Sequence, residues 1–246
     1  MSRTRRLQAL DHLSLAVKEG EFVTVVGPSG CGKSTLLHMI GGFGEPTGGE
    51  ILLRGSRVER PGRDRGMVFQ QATLFPWKNT LRNVSWAQEV AGISKREATD
   101  SATELLALVG LRGFEEAYPG ELSGGMRQRA ALARTLAMEP EILLMDEPFG
   151  ALDAQTREEM QEEFTGICEK AGKTALFVTH DVNEAIYLGD RVAIMSSRPG
   201  TIVETIEIEF PRPRNPEIKK SSRLLEYHNY LWDALHSKHP QEDAKL

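Results

Sequence analysis

Apolar positions along this chain follow two alternating rhythms. Short unbroken runs have the length and apolar density of buried strands: "EFVTVVG" (21–27), "GMVFQ" (66–70), "EILLMDEP" (141–148), "TALFVTH" (174–180) and "RVAIMSS" (191–197). "TIVETIEIEF" (201–210) alternates with period two, as a half-exposed strand does. Between the runs the apolar spacing becomes helical. Lys33 to Ile40 reads as a helix stopped by Gly41 and Gly42. In "DAQTREEMQEEFTGICEKAG" (153–172), Met160, Phe164, Ile167, Cys168 and Ala171 share one face, Asp153 can cap the start, and Gly172 ends it. "DVNEAIYLG" (181–189) is a short helix, with Asp181 and Glu184 spaced as a capping box.

Two regions depart from this alternation. "GEILLRGSRV" (49–58) predicts an extended segment or hairpin, so the opening of the chain is β-rich. From about Trp77 to Met138 the pattern is wholly helical: "TLRNVSWAQEVAG", "SKREATDSATELLALVG" and "SGGMRQRAALARTLAM", separated by Gly or Pro. Leu105, Leu108 and Val109 make an apolar stripe on the second of these. "FPRPRNP" (210–216) breaks regular structure, and a final helix spans about 217–235 with Ile218, Leu224, Leu225, Leu231 and Leu235. "HPQEDAKL" reads as a frayed tail. Repeated strand–helix units imply a parallel sheet covered by helices on both faces, with a ligand site at the carboxyl ends of the strands.

Composition narrows the class. Of 246 residues, 40% are hydrophobic and 26% charged, an ordinary globular balance. A net charge of -5 argues against nucleic acid as a partner, because bulk phosphate binding needs a basic face. The local basic clusters, Arg3, Arg5 and Arg6, then Arg212 and Arg214, read as solvated charge. The two cysteines, Cys31 and Cys168, form neither a disulfide framework nor a zinc pattern, which fits a reducing compartment. No secretory h-region opens the chain, and no apolar run approaches the roughly 20 residues of a membrane span. The sequon "NVS" (83–85) is therefore read as chance.

The strongest chemistry lies in Gly27-Pro28-Ser29-Gly30-Cys31-Gly32-Lys33-Ser34-Thr35. It follows a predicted strand, opens a predicted helix and fits the phosphate-loop pattern. Its glycines let backbone N–H groups turn inward around a phosphate, and the helix N-terminus adds partial positive charge. Lys33 supplies a full charge to β- and γ-phosphates, and the Ser34 hydroxyl can ligate Mg²⁺. "ILLMDE" delivers Asp146, a second candidate metal ligand, and Glu147, which can polarise a water for attack on phosphorus. Strand alternation predicts that Glu147 points away from Asp146. Gln70 and His180 end other strands at the same sheet edge: Gln70 as a candidate for Mg²⁺ and the attacking water, His180 for the γ-phosphate. A second anion site begins at Ser123, a good N-cap followed by Gly124 and Gly125. It lies in the helical insertion, so a single copy cannot easily close both sites on the same phosphates, whereas two copies related by a two-fold axis can.

In their order, "GPSGCGKST", the glutamine of "VFQ", "LSGGMRQR", "ILLMDEP", "GALD" and "VTHD" resemble the motifs of ATP-binding cassette (ABC) ATPases over nearly the whole chain. The resemblance implies an α/β P-loop NTPase with a RecA-like parallel core, an N-terminal antiparallel β portion and a helical signature-motif subdomain. It implies one domain over 1–236, with a catalytic lobe at 1–76 and 139–210, a helical lobe at 77–138, a C-terminal helix at 211–236 and a tail at 237–246. ATP and Mg²⁺ are the implied cofactors. Two copies would sandwich ATP head to tail, Ser123 acting in trans on the partner's γ-phosphate and Asp153 lying at the dimer interface. Met126 stands where many relatives carry glutamine.

"LFPWKNTLRNV", "THDVNEAIYLGDRVAIMSSRPGTIVETIEI" and "PRPR" are similar to ATPase subunits of nitrate, sulfonate and taurine-type importers. That similarity implies ATP hydrolysis coupled to transport, two transmembrane permease subunits, an extracytoplasmic solute-binding protein, and a peripheral place on the cytoplasmic face of the inner membrane. Phe75, Pro76 and Trp77 would receive a permease coupling helix; a buried core tryptophan is the competing reading for Trp77. Family members stack adenine on an aromatic residue upstream of the first strand, and residues 1–17 contain none. Adenine is then expected to be held another way, or by residues preceding this stretch, with ATP affinity about tenfold weaker. A cassette ATPase of translation or DNA repair, and a small-molecule kinase using the same loop, remain the alternatives.

Overall fold

A computed structural model describes residues 7–150 and 152–237. Arg3, Arg5, Arg6, Ala151 of "GALD" and the tail beyond 237 lie outside the described residues. The core is a six-stranded sheet in the order β4-β5-β6-β1-β7-β8. Strands β1 (Phe22–Val26), β4 (Arg65–Val68), β5 (Ile142–Asp146), β6 (Thr174–Thr179) and β7 (Arg191–Met195) run parallel. The edge strand β8 (Ile202–Glu207) is antiparallel to β7, and its alternating burial matches its alternating sequence. The remaining antiparallel structure near the N-terminus is small: β2 (Leu52–Leu53) and β3 (Ser56–Arg57) pair over two residues each. Before β1, Leu10, Leu13, Leu15 and Val17 pack against the sheet, and Leu10 makes a single parallel bridge to Gly200 without extending into a ladder.

Register decides what happens at one sheet edge. Val26 pairs with Thr179, Asp146 with Val178, and Val68 with Met145. The chain therefore leaves β1, β5 and β6 side by side, at Gly27, Glu147 and His180. Strand β4 stops at Val68, so Gln70 lies two residues past its end rather than closing it.

Helix α1 (Lys33–Ile40) follows the glycine loop, and α5 (Ala154–Lys170) and α6 (Val182–Leu188) carry the crossovers. Buried Phe22, Phe149, Phe164 and Phe177 pack ring against ring at 5.6–6.3 Å between sheet and α5, in edge-on and tilted geometries that add to simple burial. The Asp181 carboxylate caps α6, accepting from Asn183 N and Glu184 N. The Glu184 side chain does not complete a capping box; it is buried and turned toward Thr179 and Gln161 instead.

Between β4 and β5 stand α2 (Thr80–Val90), α3 (Lys95–Leu108) and α4 (Gly124–Leu136), capped by Asn79, Ser94 and Ser123. The buried face of α3 is Ala98, Ala102 and Leu106, continuing to Val109, while Leu108 is 38% exposed. The expected stripe is thus rotated, because small alanines let α3 approach its neighbours closely and read poorly as apolar signal. Asn83 of the apparent sequon is fully buried. Its Oδ1 accepts from Phe75 N at 2.7 Å, and its Nδ2 donates to Phe75, Lys78 and Asn79 carbonyls at 2.9–3.1 Å.

The C-terminal segment corrects two further expectations. Arg212 and Arg214 are not solvated. Arg212 donates to Asp190, Glu169 and the Leu188 carbonyl, all at 2.7–2.8 Å. Arg214, 7% exposed, donates to Gly189 O at 2.5 Å and to Asp190 at 3.3 Å. Burial pushes the Arg214 guanidinium down to about 10. These arginines staple the segment after β8 to the end of α6. The last helix begins later than expected, as a 3₁₀ turn (Pro216–Lys220) and then α7 (Ser222–Ser237). Leu224 and Leu231 are buried, but Leu225 is 58% exposed.

Candidate functional site

The loop between β1 and α1 is shaped by glycine at two positions where no side chain fits. Gly32, at φ +108, would bring a Cβ to 2.6 Å from Leu10. Gly27 would bring one to 2.8 Å from the Met195 carbonyl. Lys33 is 5% exposed, and its Nζ donates to Gly27 O at 2.8 Å and Pro28 O at 3.2 Å. A buried ammonium is thereby held at the mouth of the loop. Cys31 is buried beneath it, and burial raises its thiol above the usual value. Arg198, in the turn after β7, donates to Gly30 O at 2.7 Å and braces the loop from outside.

Ser34 is the second residue of α1, and its hydroxyl donates to Asp146 Oδ1 at 3.0 Å. Burial raises the Asp146 carboxyl above its ordinary range, with the neighbouring Glu147 charge adding and the Ser34 hydrogen bond opposing. Two hard oxygens about this far apart match adjacent corners of an octahedron with ~2.1 Å bonds, about 3 Å. A hydroxyl and one carboxylate also suit Mg²⁺, which keeps waters and takes phosphate oxygens for its remaining positions. Among the described residues no cluster of three or more His, Cys, Asp or Glu offers an all-protein metal cage.

Glu147 differs from Asp146 for a reason other than strand alternation. It lies beyond β5 in the left-handed region, at φ +44. Its N–H donates to Val178 O at 3.0 Å, and its carbonyl accepts from Gly150 N at 3.0 Å, closing a turn whose Phe149 is anchored in the core. The carboxylate is thereby aimed between two cations or proton carriers. Oε2 is 2.9 Å from His180 Nδ1, and Oε1 is 4.0 Å from Lys33 Nζ. The Gln70 amide reaches this turn: its Nε2 is 3.2 Å from where a Gly150 Cβ would stand. Lys33, Ser34, Asp146, Glu147 and His180 are thus brought together, with Gln70 beside them. The set can hold anionic oxygens, bind a hard cation and accept a proton from water.

Ser123, Gly124, Gly125 and Asp153 do not join this cluster. The Ser123 hydroxyl accepts from Met126 N at 3.3 Å and stays exposed. Gly125 is buried, and a Cβ there would meet Thr156 of α5 at 3.3 Å, so its glycine serves close helix packing. Asp153 caps α5 through Thr156 N at 3.0 Å and Thr156 Oγ1 at 2.7 Å, and these bonds hold its carboxyl below the usual range. Trp77 is 71% exposed, its ring 5.6 Å from Phe75, while Phe75 lies 5.0 Å from Trp86. Trp77 is therefore not a core residue.

The family model for ABC transporters matches residues 10–150. The chain belongs to that family. The cassette is 46% identical to a nitrate import ATP-binding protein of Synechocystis sp., over 97% of this chain and 92% of the relative. It is 48% identical to a taurine import ATP-binding protein of Rhizobium johnstonii, over 95% and 91%. Among solved structures it resembles a dimeric ATP-binding cassette in a post-hydrolysis state bound to ADP and phosphate. There the TM-score is 0.73 at 35% identity, covering 86% of this chain and 95% of that one. The P-loop NTPase architecture of a transporter cassette is accordingly shown.

Sequence reading missed several residues that shape this ABC site. Gln128 is buried on α4, and its Nε2 donates to Gln70 O at 2.7 Å and Pro148 O at 2.8 Å, tying the two loops of the site to the helix that Ser123 caps. Its signal was faint: one polar residue on the inner side of a helix. Asn83 fixes the loop that presents Phe75 and Trp77, and its spacing of four from the cap Asn79 was the only clue. Arg198 had no local signal, since its partner is 168 residues away.

Proposed function

We propose that this ABC ATPase energises an importer of a small anionic or sulfonated solute, working as a pair of identical subunits beneath two permease subunits. Within one subunit Lys33 grips the β- and γ-phosphates. Ser34, Gln70 and Asp146 hold Mg²⁺, which when bound neutralises charge on the transferring phosphoryl oxygens. Glu147 takes the proton of the attacking water, and His180 orients Glu147 and contacts the γ-phosphate. Ser123 with Gly124 and Gly125 completes the partner's site, and Asp153 lies between the two sites. The observation that carries this reading is the meeting of Lys33, Glu147 and His180 at one sheet edge, next to the Ser34–Asp146 pair. The lobes are assigned as 1–76 with 139–210, 77–138 and 211–236. The exposed Trp77 and Trp86 rings, with half-buried Phe75 between them, suit a permease helix, and the nitrate and taurine relatives support the solute class. The nitrate and taurine import relatives support attachment through the permease on the cytoplasmic face; no helix among the described residues is long and apolar enough to cross a membrane.

Mixing two inactive variants tests the trans arrangement. Lys33→Ala and Ser123→Ala each lose turnover alone. In a mixed dimer one of the two sites regains both groups, so an equal mixture recovers about a quarter of wild-type sites, as random two-fold pairing requires. No recovery would mean that Ser123 serves its own subunit, and the transport reading would go with it. Co-purification with a permease, followed by solute-stimulated ATPase in vesicles, then identifies the cargo.

A further inference from the structure

The catalytic cluster does not use one buried acid, Glu184. It lies in the first turn of α6, four residues beyond His180, and is 6% exposed. Its two oxygens are engaged by groups from different elements. Oε1 accepts from Gln161 Nε2 of α5 at 3.0 Å, and Oε2 is hydrogen-bonded by the Thr179 hydroxyl at the end of β6. Thr179 Oγ1 also accepts from Asp181 N at 3.0 Å. The residue between Thr179 and Asp181 is His180. Its ring is 58% exposed, and among the described residues its side-chain hydrogen bond is the 2.9 Å contact with Glu147.

We propose that Glu184 is a positioning residue for ATP hydrolysis, acting through Thr179 to fix the backbone that carries His180 and through Gln161 to tie it to α5. An exposed imidazole has little packing to orient it, so its aim at Glu147 depends on where its Cα is held. The clamp supplies that support from below: hydrogen bonds on both flanking residues, anchored to a carboxylate that cannot move without unpairing in the core. The connection to α5 has a further consequence. Gly125 packs on Thr156 of the same helix, and Asp153 caps it, so displacement of the Ser123–Asp153 face reaches His180 through Gln161. Burial raises the Glu184 carboxyl above its ordinary range, opposed by the Thr179 and Gln161 hydrogen bonds, as expected of an acid enclosed for structural use.

The proposal rests on the role assigned to His180, so His180→Ala runs in parallel with the relay variants. Glu184→Met keeps the length but offers no acceptor to the Thr179 and Gln161 donors. It should lower kcat about tenfold, the value of one charge-assisted hydrogen bond, and leave KM for ATP within about twofold. Exchanging the partners, Glu184→Gln with Gln161→Glu, restores the pattern: the amide oxygen accepts from Thr179 and the amide nitrogen donates to the new carboxylate. This double variant should recover kcat to within about twofold of wild type. Thermal unfolding of each variant separates positioning from stability. Loss of kcat in Glu184→Met with no recovery in the exchanged pair, although its Tm recovers, would overturn the proposal, as would an unchanged kcat in Glu184→Met. If His180→Ala itself turns over normally, the reading of the ATP site fails instead.

Discussion

The backbone of Glu147 offers a measurable test of how this site is held. At φ +44 an L residue places its Cβ against its own carbonyl, costing about 1–2 kcal/mol that glycine avoids. The turn cannot relax this strain: Glu147 N–H is bonded to Val178 O, Gly150 N–H to Glu147 O, and Phe149 is fixed in the core. Glu147→Ala and Glu147→Gly both delete the carboxylate with its contacts to His180 and Lys33, so those losses cancel when the two are compared. Against glycine stands its greater freedom in the unfolded chain, about 0.5–1 kcal/mol. The balance favours Glu147→Gly by about 1 kcal/mol. For a chain of this length that separates the two melting points by about 2–4 °C. Calorimetry without nucleotide, checked by urea unfolding, reads the difference, and phosphate release should be equally low in both. Equal melting points, or a more stable Glu147→Ala, would show that the left-handed turn is not imposed by its surroundings.

Glu147→Gln preserves volume and backbone while removing the base, so kcat should fall about 10²- to 10⁴-fold, and gel filtration with ATP should show a trapped dimer; normal turnover would remove Glu147 from the mechanism. Asp190→Ala should cost about 2–4 kcal/mol in urea unfolding, because it strips Arg212 and Arg214 of a shared partner. The figure stays below that of a fully buried pair since Asp190 is 31% exposed. Asn83→Ala should leave ATPase of the isolated chain within about twofold but uncouple it from the permease, since it frees the loop presenting Trp77 and not the phosphate site. Cys168, pushed up to about 12 by burial, and Cys31, also raised by burial, stay protonated at neutral pH. Neither should react with iodoacetamide until the chain is unfolded, and rapid labelling of the native protein would contradict their burial.

Local patterns alone determined the identity of the strands, the start of α1 at the glycine loop and its stop at Gly41, and the caps at Ser123, Asp153 and Asp181. Each of these depends on residues within a few positions, where propensity, spacing and hydrogen-bond reach are all visible in one dimension. Where strand alternation predicted Glu147 turned away from Asp146, a long-range backbone bond and a core phenylalanine set its direction instead. Arg212 and Arg214 looked like surface charge because their partners, Glu169 and Asp190, come from other elements. Likewise Leu108 and Leu225 carry apolar side chains at helical spacing yet face outward, since the width of the buried stripe is chosen by the neighbour it packs against. Tertiary structure decided those cases because burial, and the pairing of charges that burial demands, are properties of the partner brought near and not of the residue itself.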